Sequence, residues 1–318
     1  MRIVLVAFGG VQTLDLTGPA EVFAAANRAR GRAHYQIVIA GIGGGELVMS
    51  CGLPIRVRDL SRITPHRSDT IVVAGGEDAA VRAATGDGRL RRWLRRAAPI
   101  VTRLASVCSG AFVLAGAGLL DGKRATTHWS ACDELARMFP AVDVDRNAIF
   151  VRDGKTWTSA GVTTGIDMAL ALVEADLGAR TADDVAARLV LYVRRPGFQS
   201  QWSDALVAQQ TAHDPLGPAI AWARAHVAVV DLESLARHAG LSARTLHRRC
   251  LAQLGTTPAK LLDKLRVEHA RELLHARTAS LKEVAARCGL SPARLTRAFE
   301  RELGMSPRAY RLLHATAA

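Results

Sequence analysis

The chain has 318 residues, 49% of them hydrophobic, and a formal net charge of +13. That length exceeds what one core usually needs and predicts two domains. Five cysteines without a CxxC pair or a Cys/His cluster argue against a disulfide framework or a zinc site, and no uncharged apolar run approaches membrane-spanning length.

The opening MRIVLVAFGG is broken by glycine too soon for a signal peptide, so a cytoplasmic protein is expected. Residues 1–195 then alternate apolar runs with helical patterns. Strands are predicted at 3–7, 35–40, 70–74 and 100–107, and helices at 18–30, 88–97, 109–117, 163–177 and 181–192. Runs such as RIVLVAF and DTIVVAGG are continuously apolar, as strands buried on both faces are. The alternation predicts a doubly wound, flavodoxin-like α/β sheet with ligands beyond the carboxyl ends of its strands.

Three predicted strand ends carry chemistry. AGGE (74–77) supplies Gly75 and Gly76, whose backbone can approach a ligand closely. ASVCSGAF sets Cys108 at a strand-to-helix turn, where a helix dipole would favour the thiolate. LDLTGPAEVF places Asp15 before a helix, and RATTHW places His128 after a short strand. Cys51, Cys132, Cys250 and Cys288 read as small buried hydrophobes. Asp183 and Asp184 read as first-turn helix charges.

The segments GGVQTLDLTGPAEVF, VAGGED, LASVCSGAFVLAGAGLLDGKRATTHW and TSAGVTTGIDMALALVEADLG resemble the class I glutamine amidotransferase-like superfamily in its PfpI branch. More narrowly they resemble AraC-type regulators with such a domain fused in front. The resemblance implies Cys108 as a nucleophile-like residue, Asp15 beside it, Gly76 at an oxyanion, and His128 nearby. Aspartate rather than glutamate at position 15 resembles the isonitrile hydratase-like members. The regulator resemblance implies sensing of a small-molecule effector, with no cofactor. Thiol-dependent hydrolase or hydratase chemistry on small amides, isonitriles or aldehydes is the alternative, with Gly76 and Ser109 N–H groups as oxyanion donors. Oxidation sensing by Cys108 is a further one.

Residues 196–217 read as a linker. Pro196-Gly197, Asp214-Pro215 and Gly217-Pro218 break the chain before a helix at 219–226. Residues 218–318 hold 17 Lys+Arg against 8 Asp+Glu, a net of +9, and the first 217 hold 25 against 21, a net of +4. This basic segment contains one sequence written twice, LESLARHAGLSARTLHRRCLAQLGTTP (232–258) and LKEVAARCGLSPARLTRAFERELGMSP (281–307). In each copy a short amphipathic helix (Leu232, Leu235, Ala236 in the first) ends at a glycine, Gly240 or Gly289. A buried leucine follows, then a serine N-cap, then an arginine-rich helix, which in the first copy closes at Gly255. That is the grammar of a helix-turn-helix.

LSPARLTRAFERELGMSPRAYR and its partner copy resemble the DNA-binding domain of the AraC/XylS regulators, two helix-turn-helix units joined by one long helix, here 258–275. The resemblance implies base-facing positions at Arg244, His247 and Arg248, and at Ala293, Thr296 and Arg297. Arg248 and Arg297 could each hold a guanine edge with two hydrogen bonds, the alternative being that such arginines only neutralise phosphates. It also implies double-stranded DNA and RNA polymerase as partners, and a homodimer. A DNA-binding transcriptional regulator, acting as an activator, is the expected function.

Overall fold

A computed structural model describes residues 1–191, 194–195, 197, 201, 215–254, 256–275, 279–303 and 305–313. The chain divides into two units, Met1–Gln201 and Trp202–Ala318. The expected stops at Pro196, Asp214 and Gly255 lie outside the described residues.

The first unit is a sheet of eight strands in the order β3-β4-β2-β1-β5-β6-β10-β9. These are β1 Arg2–Val6, β2 Gln36–Gly41, β3 Gly45–Val48, β4 Pro54–Asp59, β5 Asp69–Val73, β6 Arg103–Val107, β9 Phe150–Asp153 and β10 Thr156–Ser159. A separate pair joins β7 (Arg124–Ala125) to β8 (Asp143–Val144). The inner strands run parallel, and only the edge strands β3 and β9 are antiparallel. The fold is the predicted flavodoxin-like α/β arrangement.

The period-two geometry of strands explains both layers. On β1, Val4 and Val6 join one core with Leu90, Trp93 and Leu94 of α3 (Gly88–Ala97) and Val113 of α4 (Gly110–Gly116). Ile3 and Leu5 join the other, with Leu16 and Phe23 of α1 (Thr13–Ala29), Met168 and Leu172 of α6 (Thr164–Leu177) and Val185 of α7 (Ala179–Arg188). Two further helices, α2 (Asp78–Gly86) and α5 (Cys132–Met138), and the strands β3, β4 and β8–β10 were not legible as periodic runs because each is short or half-exposed, whereas β7 is the short strand expected before His128.

Helix starts depart from the prediction in two places. The helical pattern predicts that α1 starts at position 18, but Gln12 caps Thr13 through its side chain and the helix runs through Gly18 and Pro19. The Thr17 hydroxyl donates to the Thr13 carbonyl (2.8 Å) within that turn. Asp15 is therefore in the first turn of the helix, not ahead of it. Asp183 lies inside α7 and pairs with Arg194 (2.6 Å).

The second unit is helical: α8 Leu216–Ala225, α9 Leu232–His238, α10 Ala243–Leu254, α11 Pro258–His275, α12 Leu281–Arg287, α13 Pro292–Leu303 and α14 Pro307–Leu313. Gly217-Pro218 does not break the chain. It occupies the first turn of α8, where a missing N–H costs nothing. Leu216, Ile220, Leu235, Leu246, Cys250 and Leu262 form one core. Capping boxes open α9 (Asp231 with Ser234) and α12 (Ser280 with Glu283). Arg271 of α11, 4% exposed, lies 5.7 Å from the Tyr310 ring and ties the long helix to α14.

Candidate functional site

In the α/β unit, chain order crosses from one side of β1 to the other between β2 and β5, and such a reversal leaves a crevice at the strands' carboxyl ends. Four loops meet there. Cys108 follows β6 with φ +55°, a backbone region uncommon for a residue with a Cβ. Its N–H donates to the Ser159 carbonyl (2.9 Å), and α4 starts two residues on. A Cβ on Gly110 would stand 2.3 Å from the Val73 carbonyl oxygen, so the small-x-Cys-x-Gly spacing is sterically required for this elbow.

Asp15 comes from the first turn of α1 and is 0% exposed. Its Oδ1 accepts the Val162 N–H at 2.7 Å, while Oδ2 is buried with no hydrogen-bond partner. Burial pushes the carboxyl up to about 6, against the lowering effect of Val162, Cys108 and Gly75. The Cys108 thiol is pushed up to about 12, first by burial and then by the charge of Asp15. This corrects the expected thiolate. Desolvation and a neighbouring carboxylate both oppose the anion, and together they outweigh the Ser109 N–H and a helix of only seven residues.

Gly75 and Gly76 end the β5 loop beside this pair. The Gly75 carbonyl accepts the Gln12 N–H (2.9 Å), and Val11 bridges to Gly76. The Gly76 N–H, expected to face an oxyanion, donates instead to Ser109 Oγ (3.1 Å), and that hydroxyl reaches back to the Gly76 carbonyl (3.2 Å). His128 is half-buried. Its Nδ1 pairs with Ser130 Oγ (2.8 Å), its ring meets Trp129, and burial lowers its pKa. Thr127, rather than His128, is bonded to the elbow, its hydroxyl donating to the Cys108 carbonyl (2.9 Å).

Sequence reasoning missed the fourth loop, after β10. Gly161 has φ +118°, and a Cβ there would stand 2.4 Å from the Cys108 Cβ. Val162, with φ +49°, turns its N–H onto Asp15. The signal was present in TSAGVTTG, but only the tertiary structure shows which side chains that turn serves.

A mostly apolar cavity of about 210 Å³ is lined by Phe8, Gly9, Ile42, Leu47, Ala80 and Leu90, with Asp87 also on its wall, and Phe8 packs beside Gly76. It is smaller than the usual ligand cavity of about 300 Å³ and upward, so it admits a group of a few carbons. A wider recess of about 720 Å³ opens around Arg2, His34, His66 and Asp69 at the opposite ends of the strands. Its charged groups, Arg2 and Asp69, are already paired with each other (2.5 Å). Among the described residues no cluster of His, Cys, Asp and Glu could hold a metal. Cys132, Cys250 and Cys288 are buried as expected. Cys51 is exposed instead, with the Thr13 hydroxyl donating to its sulfur (2.9 Å), a bond that holds its pKa below the ordinary value.

In the helical unit Gly240 (φ +61°) and Gly289 (φ +66°) take the left-handed conformation that ends α9 and α12. Leu290 is buried and Leu241 half-buried, while Leu232 is largely exposed rather than on the inner face. On α10, Arg244, His247 and Arg248 are all exposed, at the i, i+3, i+4 spacing of one helix face, with Leu246 and Cys250 buried on the other. On α13, Ala293 and Arg297 are exposed. Thr296 is half-buried, with its hydroxyl donating to the Pro292 carbonyl (3.0 Å), which takes it away from any base edge. Arg294, not singled out from the sequence, is exposed on the first turn.

Residues 1–175 match the DJ-1/PfpI family, and residues 235–312 match a helix-turn-helix domain. The chain is 33% identical over 305 residues to the HTH-type transcriptional regulator GlxA of Rhizobium meliloti, covering 90% of this chain and 88% of that protein. It is 35% identical over 200 residues to an isonitrile hydratase of Pseudomonas putida, covering 63% of this chain and 82% of the hydratase. A ThiJ/PfpI family protein from Pseudomonas syringae superposes with a TM-score of 0.56 and 25% identity, over 76% of this chain and 90% of that one.

Proposed function

The chain belongs to the DJ-1/PfpI family and continues into an AraC-type DNA-binding domain, and from that premise we propose that its α/β half senses a small metabolite at the Cys108 site and sets how the helical half engages DNA. The protein is a helix-turn-helix transcriptional regulator. One observation carries this: two helix-turn-helix units in tandem, the first with Arg244, His247 and Arg248 turned together to solvent. In our reading these three residues, with Ala293 and Arg297, meet base edges, and Thr296 serves its own helix. The sensing domain spans 1–195, the linker 196–217 and the DNA-binding domain 218–318. The working form is a homodimer that recruits RNA polymerase as an activator.

The effector is small and carries a short apolar group for the 210 Å³ cavity lined by Phe8. Its polar end meets Cys108, Ser109 and the unpartnered Asp15 Oδ2. Selection of genomic fragments by the purified full chain at physiological salt tests the regulator reading. A few enriched fragments sharing a repeated half-site are expected. Uniform binding of all fragments would overturn it.

A second reading is favoured by the elbow geometry at Cys108 and by the likeness to the isonitrile hydratase. It requires Cys108 to attack as a thiolate while Gly76 N–H receives the developing negative charge. A thiol held near 12 and a Gly76 N–H engaged by Ser109 support sensing over turnover. Product formed from an isonitrile by the native protein and not by Cys108→Ser would reverse that preference.

A further inference from the structure

The segment that leaves the α/β unit for the DNA-binding half is tied to both loops that hold the Cys108 elbow. Arg195 donates to Asp167 Oδ2 from Nε (2.9 Å) and Nη2 (2.6 Å), its backbone N–H donates to Asp167 Oδ1 (3.1 Å), and Nη2 also reaches Thr163 Oγ1 (2.9 Å). Asp167 is 5% exposed, while the Arg195 side chain keeps 26% of its surface in solvent, so the carboxylate end of this pair is buried and the guanidinium end is half-buried. Thr163 adjoins Val162, whose N–H holds Asp15, and Gly161, which presses on Cys108. Six residues later Gln201 Nε2 donates to the Thr127 carbonyl (3.0 Å), Thr126 Oγ1 (3.2 Å) and the Ala148 carbonyl (3.2 Å), and its N–H donates to the Asn147 carbonyl (2.9 Å). Thr127 is the residue whose hydroxyl holds the Cys108 carbonyl, and Thr126 and Thr127 are both 0% exposed. Between these ties the Gly197 carbonyl accepts the Phe150 N–H (3.2 Å).

We infer that Arg195 and Gln201, with Gly197 between them, act as a strap that reads the state of the Cys108 site, Arg195 and Gln201 being positioning residues that pass displacement of the Gly161–Thr163 and Thr126–Thr127 loops to the start of the linker. This rests on the sensing reading above and names its route of regulation. A ligand seated against Cys108 has two neighbours to push, Gly161 and the Thr127-bonded carbonyl, because the elbow is packed too closely to absorb the shift itself. Gly161 is two residues from Thr163, which Arg195 binds, and the Cys108 carbonyl is held by Thr127, which Gln201 binds. A strap with two anchors released together behaves as a two-state element, as coupling between distant sites requires. Coupling of this kind is reciprocal, so loosening the strap must also loosen the elbow.

The test uses the full chain carrying Cys51→Ser, so that methyl methanethiosulfonate adds its thiomethyl group at Cys108, with the modified residue confirmed by mass spectrometry. Three quantities are compared before and after labelling: affinity for a genomic fragment selected by the native protein, chymotryptic cleavage at Trp202, and the rate of labelling. In the parent, labelling is expected to change DNA affinity fivefold or more and to speed cleavage at Trp202. Gln201→Glu keeps the side chain's size but loses the Nε2 donor. It should label several-fold faster and reduce the effect of labelling on DNA affinity below twofold, with its unlabelled affinity kept. Arg195→Met, at the other anchor, should do the same, and Gln201→Glu covers the case in which loss of the Asp167 partner unfolds the domain. Labelling that shifts DNA affinity equally in parent and variants would overturn the strap, as would no shift in any of them. Failure of the unlabelled parent to select any fragment would count against the regulator reading. In that case cleavage and labelling rates still decide the strap, and unchanged rates in Gln201→Glu would overturn it.

Discussion

Asp15 is a carboxylate kept in a place that costs the fold free energy. Its ordinary pKa of 3.8 rises to about 6 in the folded chain because burial opposes its charge. A carboxyl raised in this way binds its proton more tightly when folded, so its contribution to stability is lost as pH rises from about 4 through 6. The full loss above pH 6 is about 3 kcal/mol at 1.36 kcal/mol per pH unit. Asp15→Asn retains an acceptor for the Val162 N–H without the charge. It should stabilise the chain by up to about 3 kcal/mol at pH 7.5 and by about 0.5 kcal/mol at pH 4, read from denaturant melts at both values. Equal gains at the two pH values would show that charge is not what Asp15 costs. The cysteines make a second contrast. Cys51 is exposed with its pKa lowered, and Cys108 is pushed up to about 12. Since the thiolate is the reacting form, a limiting thiol reagent at pH 8 should modify Cys51 before Cys108. Peptide mapping after brief treatment checks this, and prior modification of Cys108 would mean that the elbow opens in solution.

At the scale of the element, the two helix-turn-helix units share a pattern without sharing a tolerance. Gly240 has open space where a Cβ would be, so Gly240→Ala bears only the left-handed strain of about 1–2 kcal/mol. A Cβ on Gly289 would lie 2.0 Å from the Ala228 carbonyl oxygen, which is backbone and has little room to yield. Gly289→Ala should therefore lower the melting temperature of the helical unit clearly more than Gly240→Ala, and equal melting points would refute the asymmetry. The recognition helices differ too. Arg248 is exposed on α10, whereas Arg301 near the end of α13 is bound to Asp263 (2.6 Å). Arg248→Ala should weaken specific DNA binding by about 1–3 kcal/mol and relax sequence preference. Arg301→Ala should leave the preferred sequence unchanged. Competition binding against single-base variants of a selected fragment separates the two. A uniform loss across all variants would assign Arg248 to phosphate.

Across the whole molecule, net charge of +9 in residues 218–318 against +4 in the rest concentrates the electrostatic attraction for DNA in the helical half. Each phosphate neutralised releases counterions, so the full chain's affinity should fall on the order of 10²- to 10³-fold between 50 and 200 mM salt. Titrations on one fragment at several salt concentrations measure the slope, and a flat dependence would separate the charge from DNA binding. Among the described residues no helix is long and apolar enough to cross a membrane.

Much of this was written in local sequence. Continuous apolar runs gave β1, β5 and β6 within one to three residues at their ends, because a strand buried on both faces has no polar side to show. The duplicated Gly-Leu-Ser turns marked both helix-turn-helix units, because caps and left-handed glycines are chosen by the backbone over a few residues. The spacing around Cys108 marked the elbow for the same reason. What local sequence could not hold was the set of distances between loops. That Gly161 presses on Cys108, that Val162 rather than a charged group holds Asp15, and that Gly76 spends its N–H on Ser109 depend on segments 33 to 147 residues apart. The ionisation of Cys108 depended on them most of all. A helix N-terminus is visible in sequence and argues for a thiolate, but burial and the Asp15 carboxylate arrive only when the four strand ends converge, and at close range in a water-poor site they prevail.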